Sequence, residues 1–287
     1  MTSQAFDFAK PARQNPFSED MNKEFRTALK GIVASPLRTA AVARAGIVLR
    51  YQRPFRDYQN LVATHHKVLT VYLARIFKGY SRVTGQTFSM GSRANPVDYT
   101  RDIVLNQHSK FEQNKFCRQI RGLHVRRDPR DVLVSSTMYH MKSKEPWLHR
   151  PGAFGIEESS YQEKLNSLAT MDQKLEFEMR HAAGQCISEM QQWDYNQSGI
   201  AEFRYEDLMS PDAPNLFSSG LTRVGFSDIE AELLANLFVL FSSQGKLANR
   251  KHIRNPKSQQ WKEYFTPAIE RQFQNRFPNV LGSLGYE

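Results

Sequence analysis

The sequence predicts an α/β fold in which helices flank a central parallel sheet. Short apolar runs alternate with longer segments of helical periodicity from about residue 60 onward. The runs are continuous rather than alternating, which is typical of strands buried on both faces. The chain of 287 residues is also long enough to bury such a core. Sheets of this kind bind ligands at the carboxyl ends of their strands.

The first 55 residues are predicted to be a helical extension of one domain that spans residues 56–287. The first 19 or so residues are polar and contain two prolines, so we expect them to lack fixed structure. Helical spacing follows Ser18, and a second helical stretch runs from about Leu37 to Arg50. No Gly/Ser-rich linker divides the chain, which favours a single domain.

Each later element is predicted from its local pattern. A helix is expected to begin at Pro129, because proline is favoured at the first helical position. The predicted strands lie at residues 60–64, 103–105, 122–125 and 200–204, and the predicted helices lie at 70–78, from 129, across about 159–190, after 212 and after 227.

The charge of the chain predicts an acidic partner. Lys and Arg number 39 against 29 Asp and Glu, so the net charge is +10. Nucleic acid, an anionic lipid surface and a polyanionic small molecule would all fit this charge. We do not expect nucleic acid, because no helix-turn-helix, zinc finger or aromatic and basic sheet motif is evident.

The composition also restricts compartment and metal chemistry. No stretch approaches the roughly 18 uncharged apolar residues of a spanning helix, and no signal peptide is visible, so we expect a cytoplasmic protein without membrane partners. Cys117 and Cys186 are the only cysteines. Two thiols exclude a disulfide framework and any all-cysteine metal site.

Two segments at predicted strand ends could bind phosphate. Residues 64–70 form a strand end, a short turn with Lys67 and the start of a helix at Thr70, an arrangement in which backbone N–H groups and the helix dipole face an anion. The turn contains no glycine, so it is not a Walker A loop. The second segment places Arg127 at a strand end and Ser135 on the next helix. Without a ligand, Arg127 and Asp131 would simply be a local ion pair.

The segment from His124 to Ser135 resembles the 3′-phosphate-binding motif of sulfotransferases that use 3′-phosphoadenosine 5′-phosphosulfate (PAPS). In that motif an arginine ends a strand and a serine follows eight positions later, as Arg127 and Ser135 do. Three further segments resemble the family in the same order: 64–70 its 5′-phosphosulfate loop, 203–208 its Y-E-D-L strand end and 254–266 its C-terminal R-x-G-x-x-G-x-W-x-x-x-F-T segment. Tyr139-His140, Pro146-Trp147 and the closing Leu284-Gly-Tyr286 fit bacterial members.

The resemblance implies a P-loop-like three-layer fold and transfer of a sulfuryl group from PAPS to a hydroxyl or amine of a small molecule. The product would be 3′,5′-adenosine bisphosphate (PAP), and no metal would be needed. Lys67 would contact the sulfuryl group, Arg127 would bind the 3′-phosphate and Tyr205 would lie near the adenine. The implied cofactor-binding residues are Lys67, Val68, Leu69, Thr70, Val71, Arg127, Ser135, Tyr205, Arg254, Asn255 and Lys257.

His108 is the predicted general base. It follows the predicted strand at 103–105, where family members often have a histidine that accepts the proton of the acceptor. A pKa of about 6.5 suits imidazole to this role near neutral pH. His108 could also be an ordinary loop histidine, one of eight in the chain, and His65 and His66 are the next candidates.

Several residues depart from the family pattern. Leu69 replaces a glycine and Val71 a hydroxyl residue of the loop, and Pro256 and Gln259 replace glycines of the C-terminal segment. These departures favour an alternative, a catalytically silent nucleotide-binding member. A basic nucleic-acid-binding protein is the other alternative, and a homodimer is a candidate assembly. The acceptor pocket is expected near residues 146–149 and an aromatic group of His65, Phe77, Tyr80 and Tyr139.

Overall fold

The computed structural model describes residues 36–52, 57–91, 96–242 and 258–287. A sheet of five parallel strands lies at the centre of these residues, in the order β2-β3-β1-β4-β5. The predicted class, a central parallel sheet flanked by helices, is therefore confirmed. The strands are β1 Tyr58–Ala63, β2 Phe88–Met90, β3 Ile103–Asn106, β4 Gln119–Arg126 and β5 Ile200–Arg204.

Helices connect and cover the strands, and most lie where the sequence predicts them. Within the described ranges they are α1 Pro36–Gln52, α2 Thr70–Thr84, α3 Pro129–His140, α4 Tyr161–Ser167, α5 Met171–Arg180, α6 Ala182–Gln191, α7 Tyr205–Leu208, α8 Ala213–Arg223, α9 Asp228–Phe241, α10 Pro267–Arg276 and α11 Val280–Leu284, with short 3₁₀ turns at Gln113–Lys115, Pro146–His149, Ala153–Gly155 and Gln260–Glu263.

The structure adds detail to two of these elements. The helical patterns predicted across about 159–190 are three helices. Thr170 caps α5 through its side chain, and His181 has φ −124° and ψ −119°, which is not helical. Strand β2 is absent from the prediction, because three residues with a central serine carry too little pattern. The extension before residue 36, with the helix expected after Ser18, lies outside the described residues.

Both faces of the sheet are buried, as the continuous apolar strands predict. Val62 of β1 and Leu123 of β4 pack into a large core with the helices. Leu61 and Ala63 point the other way and pack with Trp193 in a second cluster. Helix α1 joins the large core and is also held by Arg50, whose side chain donates to carbonyl groups at the end of α2. The limit of the extension at residue 55 stays a prediction.

The strand order brings the two phosphate-binding candidates to one edge of the sheet. The chain adds β2 and β3 on one side of β1 and then β4 and β5 on the other. Ala63, the last residue of β1, pairs with His124 near the end of β4. The turn after β1 and Arg127 after β4 therefore emerge side by side, at the point where such sheets bind ligands.

A buried ion pair ties β4 to α9. Arg121 Nη2 lies 2.8 Å from Glu230 Oε1, and both side chains are less than a tenth exposed. The Tyr80 hydroxyl donates to the same oxygen at 2.8 Å, and the guanidinium lies 4.0 Å from the Phe226 ring. Every charge in this contact is therefore compensated, which a buried carboxylate requires.

Arg121→Ala should destabilise the fold by about 3 to 5 kcal/mol, because it leaves the Glu230 carboxylate buried without its cation. Urea unfolding measures the change. Arg101→Ala is the matched control, since Arg101 and Asp98 form an exposed pair at 2.7 Å, and it should cost less than about 1 kcal/mol. Equal losses in the two variants would contradict the role of the buried pair.

Candidate functional site

The turn between β1 and α2 is compact and its backbone is unusual. Lys67 has φ 64° and Leu69 has φ 58°, both in the left-handed region that favours glycine. Leu69 stands where the resembled loop has glycine, and its own backbone has the left-handed conformation that glycine favours. The Thr70 hydroxyl donates to the His65 carbonyl at 2.9 Å and lies 3.0 Å from the Thr64 hydroxyl. These contacts fix the start of α2 against the end of β1.

Lys67 is held against α3. Its Nζ lies 3.8 Å from the centroid of the Tyr139 ring, a cation–π contact. Its carbonyl accepts a hydrogen bond from Arg127 Nη1 at 3.2 Å. The two predicted phosphate-binding segments therefore touch each other directly.

Arg127 carries a buried charge that is only partly paired. Its side chain is 4% exposed, and its Cζ lies 4.0 Å from the centroid of the Tyr205 ring. The nearest carboxylate oxygen, Asp131 Oδ2, is 3.6 Å from Nη2. Among the described residues Nε and Nη2 have no hydrogen-bond partner. Two buried donors left without acceptors are costly, so this guanidinium is suited to bind an anion.

Asp131 joins Arg127 to the C-terminal segment. Its carboxylate accepts from the backbone N–H groups of Gln259 at 2.8 Å and Trp261 at 3.0 Å. Burial raises the pKa of Asp131, and Arg127 acts in the opposite direction. Gln259 has φ 60°, again a left-handed residue where the resembled motif has glycine. The ion pair expected without a ligand is thus present, and it also anchors the predicted nucleotide-binding segment.

The remaining predicted binding residues divide into two groups. Ser135 is half-buried on α3, one turn beyond Asp131 and on the same face of the helix. Arg254, Asn255 and Lys257 lie outside the described residues, as does Pro256, so their predicted contacts are not placed. Val68 is buried, and Val71 is exposed on the first turn of α2.

The chain end is built into this edge of the sheet. Arg130 binds the Asp128 carboxylate through Nε at 3.0 Å and donates to the Tyr286 carbonyl at 3.1 Å. The Tyr286 hydroxyl donates to Glu206 at 2.6 Å, and Glu206 accepts the N–H of Asp128 at 3.1 Å. The closing Leu284-Gly-Tyr286 therefore fixes the Y-E-D-L segment beside α3.

His108 is oriented by a carboxylate that sequence reasoning missed. Its Nδ1 lies 3.1 Å from Glu189 Oε2, and Lys110 Nζ lies 3.0 Å from Oε1. Burial acts to raise the pKa of Glu189, but hydrogen bonds from His108, Lys110 and Gln185 outweigh it and lower that pKa to about 2. An ionised Glu189 accepts the Nδ1–H of His108, which leaves Nε2 as the proton-accepting atom. Glu189 lies 81 residues along the chain, so no local signal links the two.

A chain of three groups, Glu202, His124 and His65, ends at a fully buried His65. His65 Nε2 lies 2.9 Å from His124 Nε2, and His124 Nδ1 lies 2.7 Å from Glu202 Oε2. The indole N–H of Trp193 donates to Glu202 at 2.7 Å. Burial lowers the pKa of both imidazoles and raises the pKa of Glu202 to about 7.

A second chain of the same kind ends at His66. His66 Nε2 lies 3.1 Å from His140 Nε2, and the two rings stack with centroids 5.0 Å apart. His140 Nδ1 lies 2.7 Å from Glu178 Oε1, and both of these side chains are buried. His66 itself is half-buried beside Tyr139. Only Tyr139-His140 has a sequence signal, through the resemblance, and Glu178 and Glu202 have none.

The aromatic group predicted to line the acceptor pocket is wrong in three of its four members. His65, Phe77 and Tyr80 are fully buried, and Phe77 and Tyr80 belong to the large core. Tyr139 is half-buried, and so is Trp147 in the neighbouring 3₁₀ turn. The apolar spacing that suggests a pocket wall marks core positions instead.

Comparisons with known proteins reveal a likeness in structure. No protein-family model matches the chain, and no curated protein matches it in sequence. The fold is similar to the crystal structure of mouse sulfotransferase SULT7A1 complexed with PAP, with a TM-score of 0.49 and 15% identity over 79% of this chain and 84% of that chain. Within the described ranges, no helix has the length and apolar character to cross a membrane.

The pKa of Glu202 predicts a pH-dependent stability. The ordinary pKa of a glutamate is 4.5, and the pKa of Glu202 in the folded protein is about 7. Between pH 4.5 and pH 7, the folded state therefore holds a proton that the unfolded state has released. The free energy of unfolding should therefore fall as pH rises from about 4.5 to about 7, by on the order of 3 kcal/mol.

Glu202→Gln should remove this fall, because the amide does not titrate. Urea unfolding at pH 5 to 8 measures it, with the exposed Glu158→Gln as the control. If wild type and Glu202→Gln lose stability in parallel across this range, the buried carboxyl does not titrate as described.

Proposed function

We propose that the protein transfers a sulfuryl group from PAPS to a hydroxyl or amine of a small-molecule acceptor. The observation that carries the proposal is the buried Arg127 guanidinium, whose Nε and Nη2 lack hydrogen-bond partners in the described chain and which touches the Lys67 loop directly. Asp131 compensates part of the charge, and the two unpaired donors suit the oxygen atoms of a further anion. The order and spacing of the motifs supply its identity, the 3′-phosphate of the nucleotide.

The donor would occupy the edge formed by the ends of β1 and β4. Arg127 would bind the 3′-phosphate dianion with two donors, and Ser135 would add a hydroxyl from the same helix face. Arg254, Asn255 and Lys257 would complete this subsite from the segment that Asp131 anchors. The 5′-phosphosulfate would meet Lys67, the Thr70 hydroxyl and the backbone N–H groups of residues 69–71, since the Val68 N–H already donates to the His65 carbonyl at 3.0 Å. Tyr205 supports Arg127, and its predicted contact with adenine stays a prediction.

The chemistry follows from this arrangement. The acceptor oxygen or nitrogen attacks sulfur while the bond from sulfur to the bridging phosphate oxygen breaks, and PAP leaves. Negative charge grows on that bridging oxygen. The Lys67 ammonium would stabilise it, an interaction that is stronger in the transition state than in the ground state. His108, with Glu189 on its Nδ1, would accept the proton of the acceptor at Nε2.

A second candidate rests on Leu69. Its side chain stands where the resembled loop has glycine, and it adds bulk at a point of close backbone approach to phosphate. A catalytically silent, nucleotide-binding protein would tolerate this residue. Such a protein would bind PAP and show no turnover with any acceptor.

Arg127→Ala should weaken PAP binding by about 2 to 5 kcal/mol, the cost of removing one partner of a buried charge pair, and should change AMP binding little. Isothermal titration calorimetry with both nucleotides measures the ratio of the Kd for AMP to the Kd for PAP. This ratio does not depend on any general loss of stability. Arg180→Ala, on the exposed end of α5, is the control. An equal loss of affinity for PAP and AMP would contradict the assignment of the 3′-phosphate to Arg127.

Lys67→Ala should lower kcat by about 10²- to 10³-fold and weaken PAPS binding far less, because its main contact forms as the phosphate leaves. Transfer of labelled sulfate from PAPS to a panel of phenols and amines measures kcat. Direct titration measures binding, and the exposed Lys142→Ala is the control. A fully active Lys67→Ala variant would show that the chemistry lies elsewhere.

A further inference from the structure

Two arginines lie side by side at the carboxyl ends of β4 and β5. Arg126 and Arg204 are register partners in this parallel pair, so their side chains leave the same face of the sheet. His124, two residues earlier in β4, packs against Trp193 on that face. The next residue after Arg126 is Arg127, which belongs to the nucleotide site proposed above. The two arginines on the other face have no task in that site.

Arg126 carries a charge that the described residues do not pair. Its side chain is half-buried and its Nε is shielded from solvent, yet no described group accepts a hydrogen bond or forms an ion pair with it. Its Cζ lies 5.1 Å from the centroid of the Tyr195 ring. Glu202 lies on the same face, but its oxygens already contact His124 and Trp193, and burial raises its pKa to about 7. A half-buried guanidinium without an acceptor is unfavourable unless a ligand supplies one.

Arg204 adds a second guanidinium with an unused donor. Its Nη2 donates to the Gly285 carbonyl, and its Cζ lies 4.3 Å from the centroid of the Tyr286 ring. Its Nε is buried and has no acceptor among the described residues. Burial acts to lower the pKa of this guanidinium, but Tyr286, Glu206 and Asp207 outweigh it and raise that pKa. Arg204 forms no direct ion pair with either carboxylate.

The two guanidiniums converge on Gly285. Its carbonyl accepts from Arg204, and a Cβ built on Gly285 would lie 4.0 Å from Arg126 Nη2. Gly285 has φ 74°, a conformation that favours glycine, so no side chain fills the space beside the guanidiniums. Like charges placed opposite each other on neighbouring strands repel. An anion between them would remove this repulsion and accept hydrogen bonds from both.

We propose that Arg126 and Arg204 form a second anion site, which binds a tetrahedral dianion such as sulfate or phosphate. Such an ion has several oxygens in the geometry that guanidinium forks bind, and two cations favour a dianion over chloride or acetate. The bound ion would join the ends of β4 and β5 to the chain at Gly285. The site is separate from the nucleotide site, so the inference does not depend on the proposed function.

Calorimetric titration of sulfate tests the site. In chloride buffer of constant ionic strength at pH 8, wild type saturated with PAP should bind one sulfate ion. Arg126→Met and Arg204→Met should each weaken this binding by about 10- to 100-fold, because each removes a charged donor. The exposed Arg180→Met should keep the wild-type affinity. Phosphate, mainly a dianion at this pH, should compete with sulfate, and acetate should not.

Urea unfolding separates a lost ligand from a lost fold. Arg126 donates no hydrogen bond within the described chain, so Arg126→Met, which keeps most of the side-chain length, should unfold in chloride at the wild-type urea midpoint or above it. Sulfate stabilises proteins in general. The informative quantity is therefore the rise in midpoint that wild type shows in sulfate beyond the rise of Arg126→Met.

The outcomes separate this inference from the proposed function. Wild type that shows no excess rise in sulfate would overturn the inference, as would sulfate binding that both arginine variants retain. Sulfate binding that PAP abolishes would assign the ion to the nucleotide site and overturn it too. Acetate that competes as well as phosphate would exclude a site for dianions. Wild type that binds PAP no better than AMP would overturn only the proposed function.

Discussion

The candidate site depends on one buried guanidinium. Arg127 stands at the carboxyl end of β4 with 4% of its side chain exposed, and a charge so placed must be compensated. The protein does this in part, with a carboxylate at 3.6 Å, a carbonyl of the Lys67 turn and the face of Tyr205. Each partner comes from a different element, so the position of Arg127 fixes the turn, the strand end and α3 relative to one another. Two of its donors, Nε and Nη2, lack hydrogen-bond acceptors among the described residues, and a bound anion would supply them.

The surrounding polar groups are arranged so that few net charges are buried. His65 and His124 are held neutral by burial, and Glu202 at the end of their chain has a pKa of about 7. The chain from Glu178 to His66 has the same sequence of contacts but ends in a half-buried ring. The first chain therefore ends in the fully buried ring of His65, which neither solvent nor a ligand reaches. The second chain ends in a ring that is partly exposed beside the Lys67 turn.

The sequence predicts those parts of the protein that local pattern determines. The parallel sheet, the helix at Pro129 and the paired positions of Lys67 and Arg127 at one sheet edge all follow from strand ends and from Pro at a helix start. The glutamates that orient His108, His124 and His140 do not, because they lie 38 to 81 residues away in sequence. Leu69 and Gln259 have left-handed backbone where the resembled motifs have glycine, and side-chain type alone does not predict that conformation at a leucine or a glutamine. The role of Arg254 stays a prediction outside the described residues.

The crystal structure of the protein with PAP tests the central claim most directly. The 3′-phosphate should lie within about 3 Å of Arg127 Nε and Nη2, with the 5′-phosphate at the turn of Lys67 and Thr70. The same structure should show Asp131 still bound to the N–H groups of Gln259 and Trp261. A nucleotide bound elsewhere, or one whose 3′-phosphate faces solvent while Arg127 keeps its two donors unpaired, would contradict it.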